Sequence, residues 1–263
     1  KSPLTPPEVT DNITVGIAVY NMAHWIGDAL EAIYKQTKQP TEILIVDDAS
    51  TDNLQEELKK YADPRIKFFR FEQNQGNIAG NNFMLSQASG DFFCNLAADD
   101  KISTKFLERV HGEFKLNPWL EFVSTQTDFI DKEGKTITKE RMGENPVWAG
   151  MMNIPAIKQR ERADFLSTLY YGNNYFGAGM YRTKALRDVG GWKKDCEVIA
   201  DYEMYLALLQ RGNIRIIEEP LTHTRLHDNN LSNLTANKPK KNLTELYRVA
   251  KAPYYAPRMK VVI

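Results

Sequence analysis

The chain has 263 residues, 42% of them hydrophobic, and its 34 Lys and Arg are balanced by 34 Asp and Glu. That is enough apolar material for one large α/β domain or two small ones, and the even charge gives no overall field to draw the chain to nucleic acid. Two cysteines, Cys94 and Cys196, cannot staple a fold, and no run reaches the length of a membrane span or the apolar core of a signal peptide, so a reducing, cytoplasmic compartment is the expectation.

Residues 1–12, polar and proline-containing, read as a linker. Residues 13–21 are an apolar strand that ends on Tyr20-Asn21, and Trp25, Ile26, Ala29, Leu30 and Ile33 then recur at the spacing of a helix over 25–36. A second strand, 42–46, closes on Asp47-Asp48, after which Ser50 and Asp52 offer caps to a short helix carrying Leu54 and Leu58. A third strand is predicted over 66–71, a helix over 77–88, and a fourth strand in the aromatic run from Phe92 that ends at Asp99-Asp100. Strand and helix alternate with short connections, the pattern of a parallel sheet covered by helices.

Open α/β sheets bind ligands beyond the C-terminal ends of their strands, where both Asp pairs fall. Adjacent carboxylates suit a hard divalent cation that also holds phosphate oxygens, and they equally suit helix starts; two such pairs on one rim favour a shared crevice. Neither GxGxxG after the first strand nor GxxxxGK[ST] occurs, so a nucleotide would be held in another way.

A helix over 103–116 and a strand over 120–130 follow, then a hairpin turn over 131–135 with Gly134 at the left-handed position, returning through 136–138. Residues 139–158 have no period and read either as a substrate lid or as a surface loop. A helix is predicted over 161–171. The small residues Gly177, Ala178 and Gly179 would let a ligand or a second backbone approach closely. After the turn Gly190-Gly191-Trp192, a helix over 200–209 turns Met204, Leu208 and Leu209 inward and carries Asp201 in its first turn, with Gly212 as its stop. A last strand spans 214–217. His223 and His227 beyond it are too few for a zinc site but could add to a cation held mainly by Asp. From Lys238 onward seven Lys or Arg face one Glu, with Tyr247, Tyr254 and Tyr255 interspersed; this reads as a solvated tail or as a contact for an anionic membrane surface.

In order and spacing these segments resemble family 2 of the inverting GT-A glycosyltransferases. The residues that carry the resemblance are the 13–21 strand with its Tyr-Asn turn, Val46-Asp47-Asp48-Ala49-Ser50-Thr51-Asp52, Asn74-Gln75-Gly76 through Asn81-Asn82, Leu96 to Asp100, the Gly-Gly-Trp turn, the Asp201-Tyr202-Glu203-Met204 helix and His227-Asp228-Asn229-Asn230-Leu231-Ser232. The resemblance implies a Rossmann-like, mostly parallel central sheet flanked by helices, with a small antiparallel or irregular acceptor-side region. It implies one domain over 13–235, with a donor half over 13–117 and an acceptor half over 118–235, followed by a basic tail over 236–263.

The implied activity is hexosyl transfer from a UDP-linked nucleotide sugar to a glycan or lipid-linked saccharide hydroxyl, in polysaccharide or cell-envelope synthesis, assisted by Mn2+ or Mg2+. The resemblance assigns Val19, Tyr20, Asn21, Asp48, Asn77, Asn81 and Asp99 to the donor, with Tyr20 stacking on the base and Asp48 accepting a hydrogen bond from it. It assigns Asp99, Asp100 and His227 to the metal, Asp201 to the general base, and Trp192, Gly177 and Tyr202 to the acceptor side. The sequence departs from the family pattern at Ala97 and Ala200, which stand where acids are common, and at Gly80 and Asn81, where many relatives carry Arg. Two rival readings remain. A sugar nucleotidyltransferase would release pyrophosphate and leave the Asp201 helix without a task. A non-catalytic nucleotide- or glycan-binding module would account for Ala97 and Ala200.

Overall fold

The structure, a computed structural model, describes residues 5–138, 178–195 and 200–230. Its first half follows the alternating pattern: β1 (Ile13–Val19), α1 (Ala23–Tyr34), β2 (Glu42–Asp47), α2 (Leu54–Leu58), β3 (Ile66–Arg70), α3 (Asn77–Gln87) and β4 (Phe92–Asn95). These four strands pair in parallel in the order β3-β2-β1-β4. β1, β2 and β4 are buried along nearly their whole length, as strands covered on both faces must be.

The second half adds β5 (Lys101–Ile102), α4 (Phe106–Leu116), β6 (Leu120–Ile130), β7 (Gly179–Arg182), α5 (Thr183–Asp188), α6 (Ala200–Arg211) and β8 (Asn213–Arg225). β7 runs antiparallel to both β4 and β6, β8 pairs in parallel with β6, and β5 pairs antiparallel with β8. One sheet of eight strands results, in the order β3-β2-β1-β4-β7-β6-β8-β5. The apolar stripe read from the sequence of α1 is buried as Ala23, Ile26, Ala29, Leu30 and Ile33. It packs with Phe106, Val110 and Phe114 of α4 on one face of the sheet, while α3, α5 and α6 cover the other through Met84, Leu186 and Met204.

Three local features differ from the sequence reading. β4 stops at Asn95, and Asp99-Asp100 lie in the turn beyond it, which Asp100 N–H closes by donating to Ala97 C=O at 3.2 Å. The pair leads into β5 and does not cap α4, whose N-terminal boundary is Lys105. Likewise Asp47-Asp48 cap no helix; Asp52 reaches across to accept from the first amide of α1, Ala23 N–H, at 2.9 Å. Finally, β8 has 13 residues where four were expected, because its pairing with β6 shifts register near Gln126 and so accommodates Pro220, which cannot donate to a ladder. The turn at 131–135 forms with Gly134 at φ +83°, and its return is a single bridge, Ile130 to Thr136. The expectations for 139–177 and for the basic tail lie outside the described residues.

Two glycines test this packing. A Cβ on Gly179 would lie 2.2 Å from the Phe122 ring, which Tyr181 and Tyr205 flank at 4.5 and 5.0 Å. Gly179→Ala should therefore cost about 1–3 kcal/mol in urea unfolding. A Cβ on Gly112, inside α4, meets nothing within 4 Å, so Gly112→Ala should stabilise by about 0.5–1 kcal/mol in the same measurement.

Candidate active site

The turn after β4 is held by a buried cation. Arg225, 1% exposed at the end of β8, donates from Nε to Asp99 C=O at 2.7 Å, from Nη1 to Asp131 C=O at 3.2 Å and Lys132 C=O at 2.9 Å, and from Nη2 to the Asp28 carboxylate of α1 at 2.7 Å. Its guanidinium lies 5.4 Å from the Trp25 ring centroid, and the Trp25 indole N–H donates to Lys132 C=O at 3.2 Å. One planar fork thus joins α1, the Asp99 turn, the 131–135 turn and β8, a geometry that guanidinium suits and ammonium does not.

Around that post the two acids diverge. Asp99, 8% exposed, has Oδ2 2.9 Å from His227 Nε2, and the His227 ring lies against Trp25 at 4.3 Å. Asp100 turns inward, where Oδ1 accepts the Arg225 backbone N–H at 2.9 Å. Burial, and after it the neighbouring Asp99 charge, push the Asp100 carboxyl well above the usual carboxylate range.

Along the rim toward β2, Asp48 Oδ1 accepts from Gln75 N–H at 2.7 Å and Oδ2 from Gly76 N–H at 2.8 Å, so the carboxylate anchors the loop that starts α3. Asp47 pairs with Arg70 and accepts Ser50 N–H at 2.8 Å. Val19 is buried and its carbonyl accepts Asp48 N–H at 2.9 Å. Tyr20 stands 44% exposed at the end of β1. Asn21 takes φ +53° and accepts Thr51 N–H at 2.7 Å. Asn77 is exposed at the first turn of α3, and Asn81 is buried one turn on.

Asp201 opens α6. That helix ends where β8 begins, beside the start of β6, so its first turn points to the rim that bears the ends of β1, β2 and β4. It lies on the α3 face, whereas Asp99 and His227 lie on the α1 side. Asp201 as a residue is exposed, yet the protein packed around its carboxyl raises the pKa; the Trp192 indole, donating to Oδ1 at 2.6 Å, opposes that rise. Trp192 is 2% exposed, so it meets Asp201 through one ring edge. Gly177 and the Tyr202 side chain lie outside the described residues.

The structure therefore brings Asp99 to His227 and Asp201 to Trp192, while Asp48 and Asp100 bind backbone. Among the described residues no three His, Cys, Asp or Glu side chains cluster so as to hold a metal. Cys94 is buried and its thiol is pushed up to about 12, which leaves it protonated and unreactive. No described helix is long and apolar enough to cross a membrane. Sequence reasoning missed Arg225, Asp28 and Asn82. The position of Arg225 two residues before the candidate ligand His227 was the available signal for the first.

Known structures share this architecture. S. aureus TarS 1-349 in complex with UDP-GlcNAc superposes with a TM-score of 0.72 at 18% identity, covering 91% of this chain and 65% of that one. The mannosyltransferase PcManGT of Pyrobaculum calidifontis, in complex with GDP-Man and Mn2+, gives 0.61 at 18% identity, covering 92% and 66%. At these identities the likeness defines the fold, a GT-A-type mixed α/β sheet flanked by helices. The sequence goes further: the family model of Glycosyl transferase family 2 matches residues 14–190, and the chain belongs to that family. An uncharacterized glycosyltransferase of Haemophilus influenzae is 24% identical over 224 residues, 84% of this chain and 68% of that protein. The chondroitin synthase of Pasteurella multocida is 25% identical over 232 residues, which are 88% of this chain but 22% of the synthase. The chain thus spans only part of each relative.

The buried fork supplies the test of this arrangement. Arg225→Met would leave three carbonyls without their donor and the Asp28 carboxylate with Lys101 alone, and should cost about 3–5 kcal/mol in urea unfolding, with no recovery in Arg225→Lys because an ammonium cannot span the same partners.

Proposed function

We propose that this family 2 glycosyltransferase is an inverting hexosyltransferase that moves a sugar from a UDP-linked donor to a hydroxyl of a glycan or lipid-linked saccharide. The observation that carries the reading is the Asp99–His227 pair at 2.9 Å, placed just beyond β4 at the C-terminal rim of the sheet. The UDP-GlcNAc complex of the TarS neighbour and the family membership support a nucleotide-sugar donor.

The Asp99 carboxylate is a hard oxygen donor of the kind that Mn2+ and Mg2+ take while keeping open positions for phosphate oxygens, and the imidazole beside it suits Mn2+ better than Mg2+. Asp99 and His227 would hold the ion, with Asp100 behind them, and when bound it would supply Lewis-acid stabilisation of the charge that develops on the leaving diphosphate. Tyr20, exposed at the end of β1, offers its ring to the base. Asp48 sets the loop that borders the same place.

Asp201 acts as general base. Its carboxylate takes the proton of the attacking hydroxyl, whose oxygen bonds to the anomeric carbon as the bond to the diphosphate oxygen breaks, and a single displacement inverts that carbon. Because protein packed around the carboxyl raises its pKa, the ionised base is populated only at higher pH than an ordinary Asp. Transfer should accordingly rise with pH through that pKa.

Two measurements test the proposal. A screen of nucleotide sugars for thermal stabilisation in the presence of Mn2+ should select a UDP sugar, and selection of a GDP or CMP sugar would refute that part. Asp201→Asn should lower transfer about 100- to 10,000-fold while leaving donor affinity within about twofold; near-normal turnover would remove Asp201 from the mechanism.

A further inference from the structure

Trp192 is a large apolar side chain with one polar atom, and that atom donates to Asp201. Its backbone is clasped by a single side chain from α3: Asn82 Oδ1 accepts Trp192 N–H at 2.9 Å, and Asn82 Nδ2 donates to Trp192 C=O at 2.7 Å. Packing fixes the ring, which lies edge-on to Phe93 at 6.4 Å and to Tyr181 at 6.0 Å. The clasp requires glycine beside it. Gly190 and Gly191 take φ of +86° and +63°, and a Cβ on Gly191 would lie 2.3 Å from Asn82 Oδ1. The Gly-Gly-Trp turn is thus shaped so that one carboxamide can seat one tryptophan.

We infer that Trp192, clasped by Asn82, is the positioning residue of Asp201: its indole N–H fixes the carboxylate by engaging Oδ1 and leaves Oδ2 for proton transfer. The inference rests on the reading of Asp201 as general base. The other titratable groups that face Asp201 are Tyr181 of β7 and Tyr205 of α6, and burial raises both phenols, so they stay neutral through the working range. The indole is therefore the described donor whose bond strengthens when Asp201 ionises, since a hydrogen bond to a charged acceptor is about twice as strong as one to a neutral acceptor. A residue with only a packing role would not respond to that charge.

The test reads the contact without a donor or an acceptor. In the 15N-labelled full chain, the four tryptophans give up to four indole cross-peaks, and Trp192→Phe identifies one by its loss. If that variant does not fold, Phe substitutions of Trp25, Trp119 and Trp148 assign it by elimination. The Trp192 indole proton should move downfield as pH rises through the Asp201 ionisation, and this movement should vanish in Asp201→Asn. Asn82→Ala should weaken the titration while the fold, followed by circular dichroism, persists. A Trp192 peak that stays still across the acid range, or that titrates alike in Asp201→Asn, overturns the inference. Loss of the base reading is a separate outcome: transfer retained in Asp201→Asn would discard Asp201 as base even with the indole titration present.

Discussion

The site depends on one guanidinium placed where water does not reach it. Taking Arg225 out of water is costly, and the cost is offset only because each of its three side-chain nitrogens finds oxygen: the Asp28 carboxylate and the carbonyls of Asp99, Asp131 and Lys132. Those acceptors belong to segments remote in sequence, so satisfying one side chain fixes their relative positions. The turn that bears Asp99 is therefore set by the fold and not by its own short sequence. Asp28 also pairs with Lys101 of β5 at 2.9 Å, which ties the strand that follows the turn to the same helix.

The neighbouring acids show how the fold avoids placing two like charges side by side. Asp99 and Asp100 are adjacent and both largely buried, so ionising both in one direction would be penalised by desolvation and by repulsion. The structure separates them. Asp99 faces an imidazole, while Asp100 takes a backbone amide of β8 and has its pKa driven up. A motif of two carboxylates thus serves two ends: one side chain remains at the rim, and the other holds the end of β8 against the turn.

Much of the fold was legible because it rests on local periodicity. The buried strands β1 and β2 have apolar runs and α1 has a stripe at helical spacing, and each formed close to its expected bounds, while β4 formed at its expected start but stopped short of the two acids. Of the candidate site, the sequence put Asp99 together with His227, and the structure sets these two side chains 2.9 Å apart. The rest of it was not legible where the partner comes from far along the chain. Nothing near Asp48 signals that Gln75 and Gly76 will claim both of its oxygens, nothing near Asp52 that it caps α1, and nothing near Asn82 that its carboxamide will close on a peptide 110 positions away. The extent of β8 was hidden for another reason: Pro220 signals a strand end locally, and only the register shift opposite it shows how the ladder continues.

These long-range contacts link the two faces of the sheet at its rim. Asp48 binds the two amides that precede α3, which sets where that helix starts; six residues into the helix, Asn82 seats Trp192, and Trp192 meets Asp201. On the opposite face, α1 contributes Asp28 to Arg225 and Trp25 to the His227 ring. Each of the two pairs is thus referred to a helix that begins at this rim, the Asp99–His227 pair to α1 after the central strand β1 and the Asp201–Trp192 pair to α3 after the edge strand β3. Both helix starts are held by carboxylates of the segment at and after the end of β2: the Ala23 N–H of α1 by the exposed Asp52, and the Gln75 and Gly76 N–H groups ahead of α3 by the buried Asp48, so this one strand end sets where both helices begin.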